Sequence, residues 1–431
     1  MRVLVDTGSA PWLLAAAAAA TSLVLVARRQ PKTPPRYGDA YITLMSNEAK
    51  HLLSVPPIQT ATLYERVDVP ALKARTAAIV AQNPWLLGRL AYGPANTLEL
   101  QYETSPSNVS EAFVEVHCPL PADAPEEQVA AWLAHAATVG NGHACLSSTR
   151  GQVFQVVAAH LTNGSMAIVV ALCHVIGDGS TYYRLYKMLD VHEAPAALTP
   201  VRAFEDTTAS FGALTPHTAP ATRTLFVLRR ALVNAISYSY RKLLFGSLPQ
   251  IAEYRVDAKA LAAIKAAHVP RKDAPYLSTN DIVASAFFEM TSTALGLMAI
   301  NLRDRLRLPP SAVGNYVACF VYTRGDYLNP ADVRASYHDK TAPQVKMSSE
   351  PFPTSLFSAG HFSVMTNWCS FYHHLVLDEN VLPIAHMPVI VRGVLPFDAT
   401  GLLYHRSPSD VRLVTRLATT PLSTPSFLQR V

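Results

Sequence analysis

The sequence predicts an α/β (α+β) protein with two domains, each a mixed β-sheet with flanking helices, and a single helix at the N-terminus. Three observations predict this arrangement. The 431 residues exceed what one ordinary hydrophobic core contains. Segments with strand and with helix periodicity occur in both halves of the chain. Half of the residues are hydrophobic and only 16% are charged, which indicates a folded chain with a large interior.

The N-terminal helix is predicted at residues 10–27, whose sequence APWLLAAAAAATSLVLVA carries no charge. As a helix this segment is about as long as a bilayer is thick. Four basic residues follow within residues 28–36, so the positive-inside rule places the rest of the chain in the cytoplasm. We therefore expect a single-pass membrane anchor and a proline-rich spacer over residues 1–35. A cleaved targeting peptide is the alternative, because alanine contributes little transfer energy.

Charge and cysteine patterns exclude several classes of protein. The net charge is +5 at pH 7, and the Lys and Arg are dispersed without the basic runs of a nucleic-acid-binding protein. Such a charge is compatible with an anionic cosubstrate or with anionic lipids. The five cysteines lack CxxC or mixed Cys/His spacing, so the sequence indicates neither a disulfide framework nor a zinc site.

Local patterns in the first half predict a helix feeding a sheet and then a hairpin. Apolar residues recur at helical spacing from residue 67, and Asn83-Pro84 ends this helix before an extended segment. Two apolar strands within residues 151–172 flank Asn163-Gly164, the strongest short hairpin signal. The second strand is apolar almost throughout and runs directly into CHVIGDGS, after which residues 181–189 have a helical pattern.

A segment rich in Pro, Ala and Thr at residues 192–222 predicts a linker between the two domains. The domains are predicted at residues 36–215 and 251–431, with a crossover segment at residues 216–250. A basic amphipathic helix in the crossover either lies on a membrane surface or packs on the second domain with its Lys and Arg extending outward. The second domain begins with a strand and a helix at residues 253–267 and ends with two strands.

The segment HVIGDG at residues 174–179 contains the pattern His-x-x-x-Asp-Gly on a strand-to-helix turn. The sheet would fix the imidazole at the end of a buried strand and direct it into an interior channel, where a neutral ring can take a proton. Asp178 can fold back and brace the turn through a buried ion pair, while Gly177 and Gly179 permit its backbone conformation. His174 is therefore a candidate general base. The alternative is a hydrogen-bonded core histidine.

The succession of strand, HxxxDG and helix resembles the CoA-dependent acyltransferase superfamily, which includes the BAHD enzymes, chloramphenicol acetyltransferase and nonribosomal condensation domains. Five further segments resemble BAHD segments in the same order along the chain, namely NPWLLGRL, EYRVDAKALAAIKAAH, STNDIVASAF, NLRDRLRLPPSAVGNYV and TNW. The resemblance to a divergent BAHD-type acyltransferase implies two chloramphenicol-acetyltransferase-like domains with an active-site tunnel at their interface.

The resemblance also implies an activity. An acyl group would pass from acyl-CoA, the cosubstrate, to the hydroxyl of a small acceptor, with an amine as the second choice. The predicted anchor suggests that the acceptor is hydrophobic. We expect a monomer with no metal and no permanently bound cofactor.

Each matched residue acquires a role from the resemblance. Arg303 would pair with Asp178 between the domains and leave His174 free, and Asn301 stands where the family's Asp is usual.

Five other matched residues would meet the substrates. Gly179, Gly314 and Asn315 would line the tunnel for substrate and CoA. Thr366 and Trp368 could donate hydrogen bonds to the oxyanion that develops on the thioester carbonyl.

The chain departs from the BAHD pattern after this region. The usual Asp-Phe-Gly-Trp-Gly is absent, and its place reads FYHHLVLDENVLP. This departure motivates an alternative from another class, a catalytically inactive, membrane-tethered binding or scaffold module of the same fold. A carrier-protein-dependent condensing domain is a third alternative, disfavoured because no carrier region adjoins it in this sequence.

The same segment contains a second HxxxD, His374 to Asp378, preceded by His373. We reject it as the catalytic motif because no buried strand leads into it. In addition, Glu379 replaces the glycine and Pro383 discourages a following helix.

Overall fold

A computed structural model gives the fold and describes residues 36–121, 124–148, 151–218, 250–353, 361–390, 397–417 and 423–431. The anchor predicted at residues 10–27 and the basic helix predicted at residues 222–246 lie outside these ranges, and both stay predictions. Among the described helices, none is both long enough and apolar enough to cross a membrane.

The described strands follow one another in this order: β1 Ala40–Thr43, β2 Ile58–Tyr64, β3 Arg89–Tyr92, β4 Leu98–Tyr102, β5 Phe113–His117, β6 Phe154–His160, β7 Met166–Leu172, β8 Gln250–Val256, β9 Thr293–Asn301, β10 Val317–Tyr322, β11 His361–Asn367, β12 Ala385–Pro388, β13 Ala399–Ser407, β14 Asp410–Leu417 and β15 Leu428–Arg430. They form a five-stranded sheet of order β12-β2-β7-β6-β5, a seven-stranded sheet of order β10-β9-β11-β13-β14-β8-β15 and a small sheet of order β1-β4-β3.

The described α-helices are α1 Ser46–His51, α2 Val69–Gln82, α3 Glu126–Leu133, α4 Gly142–Ser147, α5 Gly179–Lys187, α6 Thr208–Leu214, α7 Ala258–Ala266, α8 Thr279–Met290, α9 Arg303–Leu306, α10 Arg324–Tyr327 and α11 Pro330–Ala335. Both large sheets are mixed. β5 is parallel to β6 in the first sheet, and β11 is parallel to β9 and β13 in the second, whereas the other pairs are antiparallel. The predicted α/β class with mixed sheets and flanking helices is confirmed.

The predicted hairpin joins β6 and β7 in the centre of the first sheet. Phe154 pairs with Leu172 and His160 with Met166, and Gly164 in the connecting turn has a φ of 86°. A left-handed backbone conformation of this kind favours glycine, so the turn signal in the sequence has a direct structural cause. Every residue of β7 is buried, as its apolar composition predicts, and this strand leads straight to the candidate base.

The second half of the chain contributes a strand to the first sheet. β12 pairs antiparallel with β2, and its Ala385 lies opposite Leu63. The boundaries proposed at residues 215 and 251 stay predictions. The pairing of β12 with β2 shows that residues from both halves of the chain form the five-stranded sheet.

Three large hydrophobic clusters account for most of the described core. The first packs around the five-stranded sheet and α5, and the second around the seven-stranded sheet and α8. A third contains residues of both sheets, among them Val157 and Val169 from the first half and Met387, Tyr404 and Val414 from the second. Burial of apolar surface thus holds the two sheets together and fixes the elements that carry the candidate site.

Candidate active site

The turn between β7 and α5 carries the candidate base. β7 ends at Leu172 and α5 begins at Gly179, so residues 173–178 form a tight connection in which every residue except His174 is buried. Asp178 is the N-cap of α5, and its Oδ1 accepts a hydrogen bond from the backbone N–H of Thr181 at 3.0 Å. A Cβ on Gly177 would come within 2.7 Å of the Thr181 side chain, so this turn requires glycine there.

Asp178 and Arg303 form a buried, two-point ion pair. Nη1 of Arg303 donates to Oδ2 of Asp178 at 2.7 Å, and Nη2 donates to Oδ1 at 3.0 Å. Asp178 also accepts the backbone N–H of Tyr316 at 3.1 Å. Only 1% of Asp178 and 4% of Arg303 is exposed. Both carboxylate oxygens are therefore occupied by donors, and Asp178 braces the turn from within the protein.

Carbonyl groups complete the surroundings of the Arg303 guanidinium. Nη2 donates to the backbone oxygens of Ala312 and Gly314 at 3.2 and 3.0 Å. Asn301, which stands where the BAHD pattern usually has Asp, accepts hydrogen bonds from the backbone N–H and from Nη1 of Arg303 at 3.1 and 3.2 Å. The amide oxygen of Asn301 thus serves as an acceptor for Arg303 without a second carboxylate.

The His174 ring is held through Nδ1 by the side chain of Asn315. The distance from Nδ1 to Oδ1 of Asn315 is 3.1 Å. Nδ2 of Asn315 donates to the backbone oxygens of His174 and Val175 at 2.9 and 3.1 Å. Since carbonyl oxygens only accept hydrogen bonds, the NH₂ of Asn315 must face them and its oxygen must face His174. Nδ1 then carries the ring proton, and the lone pair resides on Nε2.

Burial lowers the pKa of His174 below the ordinary imidazole value of 6.5. Its own backbone, the charges of Asp178 and Glu48 and the bond to Asn315 act in the opposite direction, and the effect of burial is the larger. The residue as a whole is only partly buried. At neutral pH this histidine is uncharged, which is the state that a general base requires.

A second buried ion pair supports the turn, and neither of its residues was among the predicted site residues. Nε of Arg202 donates to Oε2 of Glu48 at 3.0 Å, and Nη2 donates to the backbone oxygen of Ile176, within the turn, at 2.9 Å. Gly314 lies against this pair with a φ of 139°, and a Cβ there would be 3.1 Å from Cδ of Arg202. The predicted tunnel residue Gly314 thus has a clear steric requirement in the structure.

No protein-family model matches the chain. No curated protein matches it either.

Solved structures match over most of the chain. TRI101 of F. sporotrichioides, complexed with coenzyme A and T-2, has 12% identity and a TM-score of 0.55, covering 88% of this chain and 94% of that one. Vinorine synthase has 13% identity and a TM-score of 0.54, covering 89% and 92%. The condensation domain of the monacolin K polyketide synthase MokA has 12% identity and a TM-score of 0.53, covering 89% and 93%. The chain has the fold of the CoA-dependent acyltransferases. The fold expected from HxxxDG and the five accompanying segments is therefore confirmed.

Trp368 lies beside the start of α5 in this acyltransferase fold. Its indole Nε1 is 3.8 Å from the position of a Cβ on Gly179, and its ring meets that of Tyr183 edge-on at a centroid distance of 5.9 Å. Trp368 follows β11, whose Thr366 is in register with Leu402 of β13. Both Thr366 and Trp368 are partly exposed. Their donation to an oxyanion stays a prediction.

The second HxxxD segment makes contacts of a different kind. His373 pairs through Nε2 with Oδ2 of Asp190 at 2.8 Å, and Nδ1 of His374 lies 3.3 Å from the hydroxyl of Tyr372. Asp378 accepts the backbone N–H of Asn380 within a local turn. A short 3₁₀ turn at Cys369–Phe371 precedes this segment in place of a buried strand, and residues 372–384 are irregular. The choice of His174 over His374 stays a prediction.

His386 is a buried histidine that the sequence analysis did not single out. Nδ1 of His386, on β12, lies 3.0 Å from the hydroxyl of Thr62, and Nε2 lies 3.0 Å from the hydroxyl of Tyr183. Burial lowers its pKa to about 3. No local sequence signal marks His386, because its partners lie on β2 and α5, far away along the chain.

Proposed function

We propose that this chain is an acyl-CoA-dependent acyltransferase in which His174 is the general base. The observation that carries the proposal is the orientation of the Asn315 amide, whose oxygen faces Nδ1 and leaves the lone pair of His174 on Nε2. The lowered pKa keeps that lone pair free at neutral pH. The acyltransferase fold and the CoA bound in TRI101 support the same reaction class.

The proposed reaction needs no covalent acyl-enzyme. Nε2 of His174 removes the proton of the acceptor hydroxyl while the acceptor oxygen attacks the thioester carbonyl carbon. The carbonyl oxygen becomes an oxyanion, for which Thr366 and Trp368 are the proposed donors. Collapse of the tetrahedral intermediate re-forms the carbonyl, breaks the carbon–sulfur bond and transfers the imidazolium proton to sulfur, so that CoA leaves as its thiol. The ester and neutral His174 remain.

The other predicted residues have supporting roles in this scheme. Asp178 and Arg303 hold the turn without taking part in proton transfer, since both carboxylate oxygens are occupied. Gly179, Gly314 and Asn315 line the path by which the substrates reach His174. No metal and no permanently bound cofactor enters the scheme.

The acceptor is proposed to be a small hydrophobic alcohol, with an amine as the alternative. This choice depends on the uncharged segment at residues 10–27, which would bring a monomeric enzyme to the cytoplasmic face of a membrane. A hydrophobic acceptor would then be delivered from the bilayer.

The proposal is tested with the full chain, purified in detergent, and a panel of acyl-CoAs and hydrophobic alcohols and amines. We expect acceptor-dependent release of free thiol, and mass spectrometry with labelled acetyl-CoA should find the label in an ester. Label in an amide would reverse the acceptor preference. Failure of every pair to release thiol, including incubations with membrane extract, would contradict the proposed activity and favour the inactive binding module.

A further inference from the structure

We propose that Glu48 is a positioning residue that acts through Asn315 to fix which ring nitrogen of His174 carries the proton. Glu48 lies on α1, in a part of the sequence that carries none of the motifs described above. The inference rests on the proposed function, because a fixed tautomer matters only if Nε2 of His174 acts as a base.

The Glu48 carboxylate joins two parts of the site. Oε1 accepts the backbone N–H of Asn315 at 2.9 Å and its Nδ2 at 3.1 Å. Oε2 accepts the backbone N–H of Met45 at 2.8 Å and Nε of Arg202 at 3.0 Å. Glu48 is fully buried, so no bulk water competes for these four bonds. Each oxygen has its own pair of donors, which fixes the carboxylate in one orientation.

Together with two backbone carbonyls, the Glu48 carboxylate fixes the orientation of the Asn315 amide. A carboxylate oxygen accepts hydrogen bonds, so Oε1 of Glu48 requires the NH₂ of Asn315 on its side and turns the amide oxygen toward Nδ1 of His174. The carbonyls of His174 and Val175 require the same orientation. Glu48 is the one acceptor of the three that a side-chain substitution can remove, and it also holds the Asn315 backbone.

The charged groups near His174 form two buried ion pairs. Asp178 pairs with Arg303, and Glu48 pairs with Arg202. The charges of Asp178 and Glu48 both raise the pKa of His174 against the larger effect of burial. Replacing Glu48 by a neutral residue therefore lowers the pKa of His174 further, whereas a purely structural loss elsewhere leaves it unchanged.

Glu48 also has structural roles, so stability alone does not test the inference. It caps α1 from the third helical position and pairs with Arg202. The second half of the chain contains a close counterpart in Asp281. This residue is fully buried, caps α8 from the third helical position and pairs with Arg334 at 2.6 Å. Asp281→Asn therefore reproduces the loss of a buried capping carboxylate away from His174.

The experiment compares Glu48→Gln with Asp281→Asn in the full chain. Two measurements are made, ¹⁵N NMR of the histidine rings and the pH dependence of thiol release. His174 is assigned from the resonances that disappear in His174→Ala. We expect wild type and Asp281→Asn to have a single His174 tautomer with the proton on Nδ1. Glu48→Gln removes the carboxylate acceptor and leaves only the carbonyls of His174 and Val175 to hold the NH₂ of Asn315, so a second tautomer should become detectable.

The pH dependence of thiol release should also distinguish the two variants. For Glu48→Gln, kcat/KM should fall about tenfold or more and its acid limb should move to lower pH, whereas Asp281→Asn should leave the limb in place. Glu48→Asp is the second variant, because it keeps the cap of α1 but is one methylene too short to reach Asn315. It should behave as Glu48→Gln does in the NMR measurement.

Two results would overturn the inference. One is an unchanged single tautomer in both Glu48 variants, and the other is an acid limb that stays where it is in Glu48→Gln. These results differ from a failure of the proposed function, which would appear as absent thiol release in wild type while the NMR comparison still reports the tautomer.

Discussion

Asp178 and Arg303 face each other across the two halves of the chain, with Nη1 to Oδ2 and Nη2 to Oδ1 distances of 2.7 and 3.0 Å. Asp178 caps the helix that follows the candidate base, and Arg303 begins α9 directly after β9 of the second sheet. The pair thus ties the His174 turn to the second sheet. Because its oxygens are occupied, Asp178 acts on His174 only at a distance.

Removing the Arg303 side chain should strongly destabilise the protein. Arg303→Met leaves the Asp178 carboxylate buried without its partner, so the free energy of unfolding should fall by about 3–5 kcal/mol. Urea denaturation measures the change. Arg255→Met is the control, because Arg255 is largely exposed and 3.4 Å from Asp410, and its loss should cost less than about 1 kcal/mol. Equal losses of unfolding free energy in the two variants would show that the buried ion pair contributes no more to stability than the exposed one.

Gly314 should not tolerate a side chain. Its φ of 139° disfavours residues with a Cβ, and the added atom would lie 3.1 Å from Cδ and Nε of Arg202. Gly314→Ala should therefore lower the free energy of unfolding by about 1–3 kcal/mol. Gly212→Ala in α6 is the control, since no atom lies within 4 Å of its Cβ position, and it should gain about 0.5–1 kcal/mol. Thermal unfolding of both variants measures these two changes in stability. A Gly314→Ala variant more stable than wild type would refute the steric argument.

His386 should make the protein less stable in acid. The pKa of His386 is about 3 in the folded chain and about 6.5 in the unfolded chain. Between these two pH values His386 binds a proton in the unfolded chain and stays neutral in the folded chain. Stability should fall by up to about 1.4 kcal/mol per pH unit between these values. His386→Gln keeps partners for Thr62 and Tyr183 and removes the titration. The difference in unfolding free energy between wild type and this variant should therefore depend on pH, and a constant difference would contradict the prediction.

The pH–rate profile should reflect the lowered pKa of His174. Because burial depresses this pKa below 6.5, the ring stays unprotonated from neutral pH down to below that value. kcat/KM should therefore be level near neutrality and fall only below pH 6.5, as His174 takes up a proton. Thiol release measured across this range tests the prediction. An acid limb above pH 6.5 would mean that an opposite charge, and not burial, dominates at this ring.

Local signals in the sequence predicted the part of the fold that carries the base. Asn163-Gly164 marked the hairpin, and the continuous apolar run of β7 marked a strand buried on both faces. In the STNDIVASAF segment, which resembled the BAHD pattern, Ser278 and Asp281 form a reciprocal cap at the start of α8. Each of these features depends on residues only a few positions apart. The contact between Asp178 and Arg303 was expected only from the family resemblance, because no local pattern connects residues so distant in the chain.

Long-range packing explains what the sequence did not predict. A short strand such as β12 has no pattern that assigns it to one sheet or the other, and the structure places it beside β2. A glutamate in the first turn of a helix is usually exposed. Glu48 is buried because the segment carrying Arg202 passes over it and because Asn315 reaches it from the other half of the chain. Such burial follows from tertiary structure.

The most direct test of the account is thiol release by His174→Ala, compared with His374→Ala, which alters the second HxxxD segment. Circular dichroism and thermal unfolding establish that both variants are folded. The account predicts that His174→Ala abolishes acceptor-dependent release of CoA thiol while His374→Ala retains a rate close to that of wild type. An undiminished rate in folded His174→Ala would contradict the assignment of His174 as the general base.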